Sequence, residues 1–185
     1  MSDDGLELTY RQTGELCFCT PSLMSGYYRN EKATQESIFE DDSGNRWLHT
    51  GDLGYIDEDG FVYIKGRIKR IYITRGKDGT AYKLFPQKIE ELISKLDEIE
   101  ACGVVAFEDQ ERMYVPVIFA TPKNSSIDMH LLETQLWLYV KNELSEYEQP
   151  VAINVLSSLP MTPSGKIDYQ TLEKMRKLET LQSST

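Results

Sequence analysis

The sequence predicts an α+β protein in two parts, a small β-rich module followed by a compact domain that mixes helices with a sheet. Two patterns predict it. Residues 47–74 are dense in alternating apolar and polar residues around Asp57-Glu58-Asp59-Gly60, and Asp-Gly between such runs is a strong hairpin signal. From residue 68 the order reads β, α, β, β, α, β, α with short connections, the pattern of a sheet covered by helices. The boundary is expected between residues 66 and 70, which divides the chain into 1–67 and 68–180, with a flexible tail at 181–185.

Composition narrows the function classes. The 185 residues are 40% hydrophobic and 27% charged, which is ordinary for a globular protein and enough to bury a core without disulfides or metal. Twenty basic against thirty acidic residues give a net charge of -10, so the surface repels nucleic-acid phosphates and anionic membranes. Cys17, Cys19 and Cys102 form neither an even set nor a C-x-x-C pair, and His49 and His130 stand far apart. Zinc-site spacing is absent, no metal site is expected, and the cysteines read as small core residues in a reducing compartment. No apolar run approaches the ~18 residues that span a bilayer, and the start is acidic. A cytoplasmic location is expected.

Taken in order, residues 6–19 alternate around Thr13-Gly14 and read as two short strands with a turn. Asn30 caps a short helix, and a polar loop follows from Glu40 to Arg46. WLHTGDLGYI, FVYIKG and IKRIYIT are three strands, and Arg75 to Thr80 is a loop. Pro86 opens the helix PQKIEELISKL, with Ile89, Leu92, Ile93 and Leu96 on one face. ACGVVAF and MYVPVIFA are strands. Residues 128–144 form an amphipathic helix through Leu132, Leu136, Tyr139 and Val140, then VAINVL is a strand and DYQTLEKM a final helix capped by Asp168.

Two segments carry more than structure: Trp47-Leu48-His49-Thr50-Gly51-Asp52 leading into GYIDEDGFVYIKGRIKR, and Leu159-Pro160-Met161-Thr162-Pro163-Ser164-Gly165-Lys166-Ile167-Asp168. With Gly14-Glu15-Leu16, PSLMSGYYRNEKAT and KLFPQKIEE, they resemble the adenylate-forming, AMP-binding enzymes: acyl-CoA synthetases, adenylation domains of peptide synthetases, and luciferases. The resemblance runs through almost the whole chain in the family's order. The family's upstream phosphate loop and its aromatic-Gly-x-Thr-Glu segment, which serves adenine and magnesium, do not occur in these residues. The resemblance therefore implies the β-rich end of the large AMP-binding domain joined to the C-terminal lid domain.

Residue roles follow from the chemistry and from the resemblance together. By itself Asp52 after Gly51 reads as a turn residue; an ionised carboxylate also accepts from two neighbouring hydroxyls, and the resemblance assigns Asp52 to the ribose of the nucleotide. Arg67, otherwise a surface strand arginine, is similar to the family arginine near the ribose and α-phosphate. Lys69 matches the hinge about which the lid turns, with Arg70 standing where an acid is frequent. Lys166, otherwise a solvated loop lysine, matches the catalytic lysine that offsets repulsion between a carboxylate and the α-phosphate. The loop from Arg75 to Phe85, with Ala81, Tyr82 and Lys83, matches the segment that lines the thiol path, where Ala81 replaces the usual Gly and GKDGT stands as an insertion.

The implied activity is ATP-dependent joining of a carboxylic acid to the thiol of CoA through an acyl-adenylate. ATP and AMP, magnesium held upstream of these residues, and CoA are the implied small molecules. Nucleic acid and a membrane span are not, and the oligomeric state is left open. The chain by itself is expected to be inactive. Two alternatives stay open: an adenylation domain that loads a carrier-protein pantetheine, and a non-catalytic module that keeps the lid fold.

Overall fold

The computed structural model describes residues 1, 2 and 5–182, with side chains described as far as residue 175. The chain divides into two compact units after Arg70.

The first unit is a sheet organised by one long strand. β1 is Gly14–Phe18, α1 Glu31–Ser37, β2 Ile38–Glu40, β3 Arg46–Ile56 and β4 Val62–Arg67. β3 pairs antiparallel with β1, β2 and β4, meeting β2 through its first residues and β4 through its last. The expected Asp-Gly hairpin joins β3 to β4: Asp57 accepts from the Asp59 and Phe61 amides at 3.1 and 2.9 Å, and Gly60 sits at φ 85°. Asn30 caps α1 by accepting from the Ala33 amide. Burial is thin: among the described residues of this unit Leu16 is the only large apolar residue that is buried, while Phe18, Phe61 and Ile64 are exposed.

Two expectations fail here. Residues 6–12 form no strand; the chain turns at Tyr10–Arg11, with Arg11 at φ 62° and its amide donating to the Ile56 carbonyl at 2.8 Å. The edge of β1 beside Glu15 is taken instead by Met1, whose ammonium donates to the Glu15 carbonyl at 2.6 Å. Residues 68–70 are a 3-10 helix rather than strand. Pairing with β3 stops at Asp52 and Arg67, so no ladder extends to Lys69.

The second unit opens with the hairpin β5, Tyr72–Arg75, and β6, Ala81–Leu84. Residues 81–84 were expected in a loop; they pair because Leu84 is fully buried and stands opposite Tyr72. α2 is Pro86–Ile93, β7 Ile99–Asp109, β8 Met113–Pro122, α3 Met129–Glu143, β9 Ala152–Val155 and α4 Tyr169–Gln182. β7 and β8 are antiparallel, and β9 joins β8 in parallel, so α3 is the crossover a parallel pair requires. Alternation along the sheet feeds two cores. Cys102, Val104, Ile118 and Ala120 pack with Ile89 and Ile93 of α2 and with Leu132, Leu136 and Val140 of α3, whereas Val105, Val117 and Phe119 pack with Leu159 and Leu172 of α4. α2 stops three residues short of Leu96. α4 runs two residues into the span expected as tail; residues 183–185 lie outside the described residues. No helix among the described residues is long and apolar enough to cross a membrane.

Candidate functional site

The Thr50-Gly51-Asp52 segment is a bulge. Glu15 pairs with Leu53 and Cys17 with His49, so three residues of β3 stand opposite Leu16 alone. Such an insertion disrupts the ladder and re-aims side chains. Gly51 takes φ 71°, a left-handed value that glycine adopts at least cost. The bulge is tied on both sides: the Gly51 amide donates to Glu15 Oε1 at 2.8 Å, Thr50 Oγ1 donates to the Leu16 carbonyl at 2.7 Å and accepts from the Asp52 amide at 3.0 Å, and Arg67 Nη1 donates to the Thr50 carbonyl at 2.6 Å.

At its end, Asp52 and Arg67 face each other across the last pair of the β3–β4 ladder. Arg67 Nε meets Asp52 Oδ1 at 2.9 Å, with the arginine side chain 57% exposed and the aspartate 26%. Arg67 directs Nε to Asp52 and Nη1 to the Thr50 carbonyl. An acidic acceptor thus stands beside a partly exposed cationic donor, a combination that suits a diol next to an oxyanion.

Lys166 lies in the second unit on a turn that is built with equal care. Met161 bridges Ile167, the Thr162 amide donates to the Lys166 carbonyl at 2.7 Å, the Lys166 amide donates to Thr162 Oγ1 at 3.1 Å, and Gly165 takes φ 77°. Buried Leu159 anchors one side. On the other, Asp168 caps α4 by accepting from the Thr171 amide and hydroxyl at 3.1 and 2.7 Å, bonds that lower its pKa. The backbone is therefore fixed while the Lys166 side chain is exposed, and no described residue pairs with its ammonium.

Three comparisons with known proteins bear on these residues. Residues 88–166 match the family described as the AMP-binding enzyme C-terminal domain. The chain is 36% identical over 165 residues to peroxisomal OPC-8:0-CoA ligase 1 of Arabidopsis thaliana, covering 89% of this chain and 28% of that protein. It is 35% identical over 173 residues to 4-coumarate–CoA ligase-like 2 of the same plant, covering 94% and 28%. Among solved structures, o-succinylbenzoate CoA synthetase of Bacillus subtilis with its acyl-adenylate intermediate superposes with a TM-score of 0.71 at 29% identity, over 89% of this chain and 31% of that one. The second unit is an AMP-binding enzyme C-terminal domain. The chain spans less than a third of the length of these relatives.

Lys166 is the last residue of the family match, while Asp52, Arg67, Lys69 and residues 81–83 lie before it in the chain. Lys69 is exposed in the 3-10 helix that ends the first unit, whose other members are Ile68 and Arg70. Ala81, Tyr82 and Lys83 share β6, where alternation separates them. Ala81 and Lys83 are exposed, whereas Tyr82 stacks on Tyr147 at 4.1 Å and donates to Asp78 Oδ2 at 3.1 Å, a bond that raises the phenol's pKa. Asp78 also accepts from Thr80 and is held acidic by those bonds.

Glu15 and Thr50, which the sequence reading left without roles, are what hold the bulge. The legible signal was Gly14-Glu15-Leu16; its role emerges only from register. Glu15, Cys17 and His49 also bring three metal-ligating side chains together, with ligand atoms within 4.8 Å of one another, the one such grouping among the described residues. The donor set suits a metal poorly. Glu15 Oε2 is already 2.8 Å from His49 Nδ1, and the Cys17 thiol, pushed up by burial and then by Glu15, resists becoming the thiolate that a metal requires. Cys102 is buried and its thiol is pushed up strongly for the same first reason.

Proposed function

We propose that this chain is the C-terminal part of an ATP-dependent acid–CoA ligase, comprising the end of the large nucleotide-binding domain and the mobile lid. The observation that carries the reading is the Asp52–Arg67 pair at the end of the bulge, a carboxylate beside a guanidinium that is more than half exposed. The similarity to CoA ligases across most of the chain supports it, as does the thin burial of the first unit, which suits a sheet that belongs to a larger domain.

In this reading Asp52 accepts the ribose hydroxyls of ATP and Arg67 donates towards the ribose and α-phosphate. The acid attacks the α-phosphorus to give acyl-adenylate and pyrophosphate; CoA thiol then attacks the acyl carbon, releasing AMP and a proton. Lys166 serves the first step, where its ammonium offsets the charge that builds between carboxylate and phosphate. The lid turns about Lys69, and the strand carrying Ala81, Tyr82 and Lys83 attends the thiol in the second step. ATP enters as its magnesium complex, with the metal held upstream of these residues, and the cytoplasm is the proposed compartment.

Lys166→Ala in the full-length ligase tests the reading. Losing a donor aimed at a developing oxyanion costs about 10² to 10³ in rate. Pyrophosphate release from acid and ATP should fall by that factor, while transfer from supplied acyl-adenylate to CoA stays within about threefold, the smallest change such an assay separates from wild type. Equal loss in both half-reactions, or in neither, overturns the assignment.

A further inference from the structure

We infer that Glu15 is a positioning residue that sets the place of Asp52 by clamping the bulge before it. The inference rests on the nucleotide reading of Asp52 above. Because residues 50–52 face Leu16 alone, the Gly51 amide has no ladder carbonyl to meet. An orphaned amide at this depth favours any local acceptor over the bulged conformation. Glu15 supplies one from the neighbouring strand, its Oε1 2.8 Å from the Gly51 nitrogen.

The other oxygen is also occupied. Oε2 meets His49 Nδ1 at 2.8 Å, and His49 packs against Phe39 of β2, the rings tilted by 37° with centroids 4.6 Å apart. The carboxylate is therefore braced from behind as well as bonded in front, with its side chain only 21% exposed. The clamp acts on backbone. It fixes the peptide before Asp52, while Arg67 holds the Thr50 carbonyl and the carboxylate itself. Release of the Gly51 amide lets the glycine leave its left-handed conformation, and the Asp52 carboxylate swings with it.

The geometry separates substituents by reach rather than charge. Glutamine at position 15 keeps an oxygen for the Gly51 amide; alanine has none, and aspartate withdraws its oxygens by about one bond length, roughly 1.5 Å. Hydrogen exchange at the Gly51 amide, measured in the 185-residue chain, reads the clamp without any nucleotide. Exchange is expected to rise at least about tenfold in Glu15→Ala and Glu15→Asp and less than about threefold in Glu15→Gln, taking tenfold per lost bond of ordinary strength. The Val104 amide, held by Glu90 in the second unit, serves as the internal standard. In the full-length ligase the same two variants are expected to raise the nucleotide KM about tenfold with kcat nearly unchanged, and Glu15→Gln to restore it.

Unchanged Gly51 exchange in both Glu15→Ala and Glu15→Asp overturns the inference. So does an unchanged KM in those variants when Asp52→Asn raises it, because the nucleotide reading then stands and the clamp does not. If Asp52→Asn also leaves KM unchanged, the nucleotide reading itself falls. Should Glu15→Ala not fold, the contrast between Glu15→Asp and Glu15→Gln decides alone: equal behaviour of the two refutes positioning by reach.

Discussion

Replacing Asp52 by Asn separates binding from folding, because the structure assigns the two contributions different sizes. The carboxylate pairs with an arginine that is more than half exposed, so water screens the pair and competes for both ends. Such pairs contribute about 0 to 1 kcal/mol to stability, and asparagine retains an oxygen that accepts from Arg67. Urea unfolding of the chain should therefore shift by less than about 1 kcal/mol. Binding loses more. Hydrogen bonds to a charged acceptor contribute about 1.5 to 3 kcal/mol against about 0.5 to 1.5 for neutral ones, a difference of about 1 kcal/mol for each ribose hydroxyl. Two hydroxyls give about 2 kcal/mol, or roughly 30-fold in nucleotide affinity. The assay is the ATP dependence of pyrophosphate exchange in the full-length ligase, run with ATP and 2′-deoxy-ATP. Wild type should favour ATP, and the variant should lose most of that preference. A KM within about threefold of wild type, the resolution of such a comparison, would refute the ribose assignment. So would a stability loss above about 2 kcal/mol, since Asp52 would then be holding the fold.

Two further outcomes follow from packing and charge. A Cβ on Gly103 would lie 3.0 Å from Leu172 Cδ1 and 3.3 Å from Ile167 Cγ2. Gly103→Ala should destabilise the second unit by about 1 kcal/mol, overpacking of ~1 to 3 kcal/mol less the ~0.4 to 1 kcal/mol gained from a stiffer unfolded chain. Leu172→Ala in the same molecule should show less than additive loss by urea unfolding. Asp41 accepts from Asn45 and Trp47 side chains, which pull its pKa down to about 2. Its folded value lies below the unfolded one, so the stability it contributes is present above about pH 4 and is lost as pH falls through about 2. Trp47 fluorescence in a Trp137→Phe background should report that acid transition, and Asp41→Asn should remove its pH dependence over the same range.

Local chemistry made most of the second unit legible. The helical spacing of Leu132, Leu136 and Val140, the cap Asp168, and the proline that opens α2 all act within a turn or two of themselves. The same holds for the β3–β4 hairpin, which Asp57 and Gly60 determine between them. Failures came where a strand needed a distant partner. Leu6, Leu8 and Tyr10 alternate as a strand should, yet Met1 occupies the edge of β1 beside Glu15. Residues 81–84 read as loop, yet they pair with β5 because Leu84 reaches the core.

The candidate site divides along the same line. The sequence by itself determined which residue types were available for the chemistry: an aspartate after a glycine at 52, an arginine at 67, and a lysine on a Thr-Pro-Ser-Gly turn at 166. Tertiary structure alone decided that Asp52 and Arg67 pair, because they are 15 positions apart and meet only through the β3–β4 register. It alone decided that three residues of β3 crowd opposite Leu16 and that Glu15, 36 positions from Gly51, answers the amide this leaves unpaired. A side chain's chemical capacity is local and can be read along the chain; an orphaned backbone group exists only once two strands have chosen a register, and so does the residue that satisfies it.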